Sequence, residues 1–156
     1  MRLTRAGEYA VRCMLFLSSL GVGQIAGRKQ IAGEMEIPDQ FLGKIAQQLA
    51  RVGFIEIVQG AKGGYRLLVS PDELTLLDVV EAVIGEIFLN DCIMRPSACN
   101  RSQACAVHRV WDKARRQLRE TLQEATFASL LASGSCKNDF DTAGEQSCTN
   151  MDKIIS

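Results

Sequence analysis

Three of the six cysteines fall within fourteen residues: Cys92, Cys99 and Cys105, followed three positions later by His108, the only histidine. The spacing reads C-x6-C-x5-C-x2-H. Three thiolates and one imidazole complete a tetrahedral zinc site, or hold an iron–sulfur cluster with one non-cysteine ligand. Wide spacing without paired C-x2-C knuckles suits a cluster better than a small zinc knuckle. The surrounding DCIMRPSACNRSQACAVH is short and polar, with little means of holding its own shape, as a metal-organised loop would be. Three other readings stay open: unligated thiols, structural zinc, and a His108 that merely packs or caps its helix. Cys13 reads as a small core residue. Cys136 and Cys148 lie in a polar stretch and read as exposed thiols.

The elements that must position these groups follow from periodicity. Thr4 can cap a helix running to about Leu20, with Tyr9, Cys13, Phe16, Leu17 and Leu20 recurring at spacings of three and four. Gly21 and Gly23 end it. A short helix follows from about Arg28 to Met35, with Ile31, Ala32 and Met35 inward. After a turn at Glu36-Ile37-Pro38, Pro38 suits the first position of a third helix to about Val52, with Phe41, Leu42, Ile45 and Leu49 as its buried face. Phe54–Val58 and Tyr65–Val69 are β-prone, and the glycine-rich connector Gln59–Gly64 predicts a hairpin that Ser70-Pro71-Asp72 closes. A fourth helix, about Leu76 to Ile84, carries Leu77, Val80 and Val83/Ile84. Residues 85 to 105 are irregular and hold the cysteines. A long helix from about Ala106 to Leu131 bears a stripe of Val107, Trp111, Ala114, Leu118, Leu122 and Ala125, with Trp111 a packing or dimer-interface anchor. From residue 133 onward the composition predicts a disordered tail.

Three helices followed by a glycine-tipped hairpin is the order of a winged helix-turn-helix, mainly α with a small β-hairpin wing. The expected organisation is a DNA-binding region over 1–84, a cysteine-rich loop over 85–105, a helix over 106–132 and a tail over 133–156. At 156 residues, 47% hydrophobic and 23% charged, the chain can bury a core and is not a disordered chain, a collagen-like repeat or a large multidomain enzyme. No apolar run approaches a membrane span. The N-terminus makes a poor secretory signal, because Glu8 and Arg12 interrupt it, so a cytoplasmic location is expected. Zero net charge hides an asymmetry. Up to Arg66 there are nine basic and five acidic residues, a net of +4, and the remainder carries −4. A basic first half points to a polyanion partner.

If Leu42, Ile45 and Leu49 face the core, helical geometry turns Gln40, Gly43, Lys44, Gln47 and Arg51 the other way. Glutamine pairs with adenine at two points, and lysine donates to guanine acceptors or phosphate. Lys62, at the hairpin tip, is placed to meet a phosphate or enter a minor groove. The expected DNA-contacting set is Gln40, Phe41, Lys44, Gln47, Arg51, Gln59 and Lys62, so Phe41 is counted both here and in the buried stripe. The bland alternative is that these polar residues only solvate a helix face.

MRLTRAGEYAVRCML, FLGKIAQQLARVGFI, QGAKGGYRL and three cysteines before a long helix together resemble one family over about residues 1–131. It is the bacterial winged-helix iron–sulfur transcriptional regulators that include IscR and NsrR. The resemblance implies a homodimer joined through the long helices, each subunit offering one recognition helix to a palindromic double-stranded DNA operator. It also implies an iron–sulfur cluster, two-iron or four-iron, on Cys92, Cys99 and Cys105. The fourth ligand differs within the family: a histidine just after the third cysteine matches His108, whereas an acidic residue of the first helix, sometimes the partner's, matches Glu8. The chain departs from the IscR pattern in the gap between Cys92 and Cys99, one residue longer. It also has Gly43 in place of a glutamate that discriminates among operators and Gln59 in place of a wing arginine.

The function so expected is a regulator, a repressor as most of the family are, gated by oxidation, loss or nitrosylation of the cluster. The rivals are the same regulator with structural zinc or thiol sensing, and a small electron-transfer protein that would leave the helix-turn-helix without a purpose. No nucleophile–base pair, P-loop or dinucleotide fingerprint suggests an enzyme, a small-molecule substrate or a membrane partner.

Overall fold

The computed structural model describes residues 4–90, 95, 97 and 105–133. The chain opens with α1 (Arg5–Leu20), whose start is fixed by Thr4: its hydroxyl accepts from the Gly7 amide at 3.3 Å. The helix stops where Gly21 takes φ 94°, a left-handed value open to glycine, and donates back to the Leu17 carbonyl. Cys13, Phe16 and Leu17 are buried as their spacing predicts, but Leu20 is exposed, because the core ends one turn before the helix does.

Next come β1 (Ile25–Ala26), α2 (Arg28–Glu34) and α3 (Asp39–Arg51). Between the two helices Glu36 adopts φ 51°, and the Ile37 amide reaches back to the Ala32 carbonyl, so the chain reverses within four residues and buries Ile37. Pro38 is the cap of α3 and not its first residue. Its backbone is extended (ψ 132°), and its carbonyl accepts from Phe41 and Leu42. Leu42, Ile45, Ala46 and Leu49 form the buried face. Phe41 does not join them. It is 45% exposed, its ring meeting Tyr9 of α1 edge-on at 5.7 Å.

The wing consists of β2 (Ile55–Val58) and β3 (Gly64–Leu67), antiparallel, with Ile55 opposite Leu67 and Val58 opposite Gly64. Strand β1 extends it to three strands in the order β1-β3-β2, with Ala26 opposite Tyr65. Gly64 is required here, since any side chain would overlap the backbone of Ala26. Helix α4 (Leu76–Ile84) starts at a capping box in which the Thr75 hydroxyl and the Asp78 carboxylate satisfy each other's backbone amides. It buries Leu77, Val79 and Val80, while Val83 and Ile84 are half-buried.

The expected single helix from residue 106 to 131 is two. Helix α5 (Ala106–Glu124) ends at an extended Ala125, and Thr126 caps a new helix, α6 (Phe127–Ala132). The break is enforced from outside the helix. Thr75 and Thr126 pair as a β-bridge, the Leu76 amide donates to the Ala125 carbonyl at 2.8 Å, and the Phe127 amide donates to the Leu74 carbonyl at 2.9 Å. Phe127 then enters the core formed by Ala10, Cys13, Met14, Leu17, Leu42, Ile45 and Val79 and is fully buried.

Helix α5 itself buries no residue completely. Leu118 and Leu122 pack against Leu77, Val80 and Ile87. Val107, Val110 and Trp111 remain exposed, Val110 at 65%. The stripe therefore divides, its C-terminal part on the head and its N-terminal part in the open. No described helix is long and apolar enough to cross a membrane.

Candidate nucleic-acid interface and cysteine segment

The exposed side of α3 carries Gln40, Lys44, Gln47 and Arg51, each open to solvent as the periodicity requires, and also Phe41, which the periodicity puts in the buried stripe. Gln59 and Lys62 lie exposed in the turn between β2 and β3. A shallow groove of about 360 Å³, lined by Ala6, Phe41, Lys44, Gln47, Gln48 and Arg51, runs between the start of α1 and this face. Phe41, Ala6 and Ile45 give the groove its apolar lining, and Lys44, Gln47, Gln48 and Arg51 its amide and cationic donors.

The groups that hold this face in place are less visible in the sequence. Arg28, at the start of α2, donates through Nη2 to both the carbonyl and the carboxylate of Asp39, at 2.7 and 2.6 Å. Its guanidinium lies against Gly43, where an added Cβ would be 3.1 Å from that nitrogen. Arg12 of α1 sits 5.8 Å from the Tyr9 ring centre and donates to the Met35 carbonyl at 3.3 Å, tying α1 to the end of α2. No periodicity singles out Arg28 or Arg12, because their partners are eleven and twenty-three residues away. On the wing, Arg66 pairs with Glu56 across the strands, so its charge is engaged.

Of the cysteine constellation, Cys92 and Cys99 lie outside the described residues, as do Cys136 and Cys148. Cys105 is a half-buried free thiol and the N-terminal cap residue of α5. His108 follows within the first turn, so helical spacing puts both side chains on one side of the helix. The Nδ1 atom of His108 is buried and has no hydrogen-bond partner among the described residues. A buried ring nitrogen without a partner is costly, and a metal ion is one group that would satisfy it. The two donors present therefore fit an iron–sulfur or zinc centre. No group of three or more metal-ligating side chains is gathered among the described residues. Glu8 is exposed in the first turn of α1. Cys13 is a different kind of thiol: burial pushes its pKa from 9.0 up to about 12, which keeps it protonated and inert.

The segment leading into the cysteines is anchored to α5. The Glu81 carboxylate accepts from the Ile87 amide at 2.8 Å and pairs with Arg119. Arg115 pairs with Glu86 and donates to the Ile87 carbonyl at 3.0 Å. With the Asn90 amide turned so that its oxygen faces α5, it accepts from the Trp111 indole at 3.0 Å. The end of α4, residues 86–90 and α5 are thereby joined by polar contacts just before the first cysteine.

Residues 3–133 match the family model described as "Rrf2: Iron-dependent Transcriptional regulator". A regulator named NsrR from Geobacillus kaustophilus is 31% identical over 132 residues, covering 84% of this chain and 90% of that one. Protein aau3 of Rhizobium meliloti is 32% identical, covering 84% and 85%. Among solved structures, the oxidized form of Staphylococcus aureus CymR superimposes with a TM-score of 0.64 at 27% identity, covering 83% of this chain and 95% of that one. IscR from T. potens superimposes at 0.67 with 21% identity, covering 93% and 94%, a likeness of fold. The family model describes a transcriptional regulator, the Geobacillus relative is named as one, and the match spans the helix-turn-helix, the wing and α5 alike: the chain belongs to the Rrf2 family of DNA-binding transcriptional regulators.

Proposed function

We propose that this regulator is a homodimeric repressor whose grip on operator DNA depends on an iron–sulfur cluster held by Cys92, Cys99 and Cys105, with His108 or Glu8 as the fourth ligand. The observation that carries the proposal is the Nδ1 of His108, buried and without a hydrogen-bond partner among the described residues, three positions after Cys105 at the head of a helix tied to α4. When bound, such a cluster supplies one-electron redox chemistry and a target for oxygen or nitric oxide.

The chain's own residues do the rest. Gln40, Phe41, Lys44, Gln47 and Arg51 face the major groove, while Gln59 and Lys62 meet backbone or minor groove. Val107, Val110 and Trp111 of α5 supply the apolar surface for a second subunit. A change in residues 91–105 reaches α5 through Cys105 and the reading head through the Arg115 and Arg119 contacts. A shift of 1.4 kcal/mol between two dimer geometries changes operator affinity about tenfold, so small rearrangements suffice.

The test is the visible absorption and the iron, sulfide and zinc content of the full chain purified without oxygen. Iron with acid-labile sulfide, lost in Cys99→Ala, is the expected result. Stoichiometric zinc, or no metal, overturns the cluster. A second reading rests on Cys105, a half-buried free thiol at the N-terminal cap of α5. Under it the same cysteines sense oxidants directly, and a metal-free protein that loses DNA binding reversibly on oxidation would establish it.

A further inference from the structure

We propose that Phe41 selects a thymine in the operator through the 5-methyl group of that base. The inference rests on the assignment of α3 as the groove-facing helix and adds which base one of its side chains selects. Of the large apolar side chains of α3, Leu42, Ile45 and Leu49 are buried and Phe41 alone is exposed, at 45%. It is the third residue of the helix, and the N-terminal residues of a reading helix are those that reach base edges. Gln40, Lys44 and Gln47 stand exposed around it and can hydrogen-bond to bases or phosphates, whereas a phenyl ring has neither donor nor acceptor. Among the base edges of the major groove, the thymine methyl is the one apolar substituent. A phenyl ring on this face has a single matching partner there.

The ring is braced for that contact. It meets Tyr9 of α1 with ring centres 5.7 Å apart and planes at 65°. Tyr9 packs on the core and has the Arg12 guanidinium 5.8 Å from its ring centre, and Arg12 is in turn anchored on the Met35 carbonyl. The stack takes one part of the phenyl surface and leaves the rest open, and a side chain already held loses little rotamer freedom on binding. Beside it, Ala6 and Ile45 line the same groove, so a methyl group entering there meets apolar atoms from both helices. Lys44 and Arg51, which also line it, supply the charge that draws the phosphates of the same strand. An apolar seat among cationic and amide donors is what a thymine-bearing edge requires.

The experiment selects bound duplexes from a random-sequence pool with the full chain purified without oxygen. Each thymine of the selected duplex is then replaced in turn by uracil, which lacks only the methyl and keeps every hydrogen-bonding group. In the parent, one thymine per half-site should show a loss of about 4-fold per methyl removed, the others little. In Phe41→Ala that thymine-to-uracil ratio should fall to one, while preferences at the remaining positions persist. With cytosine at that position, adding a 5-methyl group should restore the same factor in the parent and nothing in Phe41→Ala. The two duplexes are titrated with one preparation, so any inactive fraction cancels from the ratio. Phe41→Leu keeps an apolar side chain against Tyr9, should retain part of the penalty, and replaces the alanine variant if thermal melting shows that one to be unfolded. Indifference of the parent to every methyl overturns the proposal, as does an undiminished penalty in Phe41→Ala. A uniform loss in Phe41→Ala with the methyl penalty intact would make the ring a sugar or packing contact. If Lys44→Ala and Gln47→Ala also leave affinity and preference unchanged, α3 is not the reading helix, and the failure lies there.

Discussion

Cys13 and Cys105 show how far one side-chain type can diverge within a chain. Cys13 is enclosed by the core, and its thiol titrates only near pH 12, whereas Cys105 caps a helix and is partly open. A thiol reagent at neutral pH should modify Cys105 in metal-free protein and leave Cys13 unlabelled until the protein unfolds, which peptide mass mapping reads directly. The buried thiol also sets an alkaline limit. In the unfolded chain it ionises near pH 9, in the folded chain near 12, so its contribution is intact below pH 9 and is lost as pH rises toward 12. Tyr65, raised by burial, acts in the same direction. The urea midpoint should fall across this range, and it should fall less in Cys13→Ala. Phe41 offers the corresponding lesson about reading. An apolar residue one step from Leu42 looks like core, and only the ring of Tyr9, thirty-two residues earlier, shows that the helix is covered differently there. Arg28 was hidden for the same reason, since its partners Asp39 and Gly43 come together only once α2 and α3 have packed.

Helices whose signals are local were legible to within a residue or two. Thr4 caps where its sequence says, α4 spans the residues its periodicity predicts, and the glycines of the wing mark its turn. Strand β1 was not legible, because two residues carry no alternation and exist as a strand only through Tyr65 and Arg66. Nor was the break at Ala125, where Ala-Thr-Phe-Ala continues a helical pattern and the interruption comes from Thr75 and Leu74. Removing Phe127, which the sequence placed in an ordinary helix, should be costly. Phe127→Ala should destabilise the fold by about 3–5 kcal/mol, seen as a lower denaturant midpoint with an unchanged slope. Thr75→Ala should cost about 0.5–2 kcal/mol through loss of the capping box. In the cysteine segment the sequence offered the ligand types but not their geometry, since residues between two helices carry no period from which positions can be computed.

Over the whole molecule the charge asymmetry acquires a place. The basic side chains Lys44, Arg51 and Lys62 lie exposed on the helix and wing expected to face DNA. Operator affinity should therefore fall with salt at a slope of about −0.9 per phosphate neutralised, and Lys62→Ala should make that slope shallower by about one unit without changing base preference. The exposed Val110 and Trp111 give a second test at this scale. Trp111→Asp should produce a folded monomer by sedimentation, with operator affinity reduced well beyond tenfold because two linked heads are lost together. A dimer unaffected by that change would require another interface.

The return of Phe127 into the head has a practical meaning for anyone recombining such proteins. The DNA-binding unit is discontinuous, built from residues before Ile84 and again from α6, with α5 as an excursion between them. A foreign sensor fused after residue 84 would leave the core without its aromatic plug. One inserted between Ile84 and Thr126, with both ends stitched back, would keep it, so the segment proposed to sense is an insertion and its exchangeable cassette has two borders.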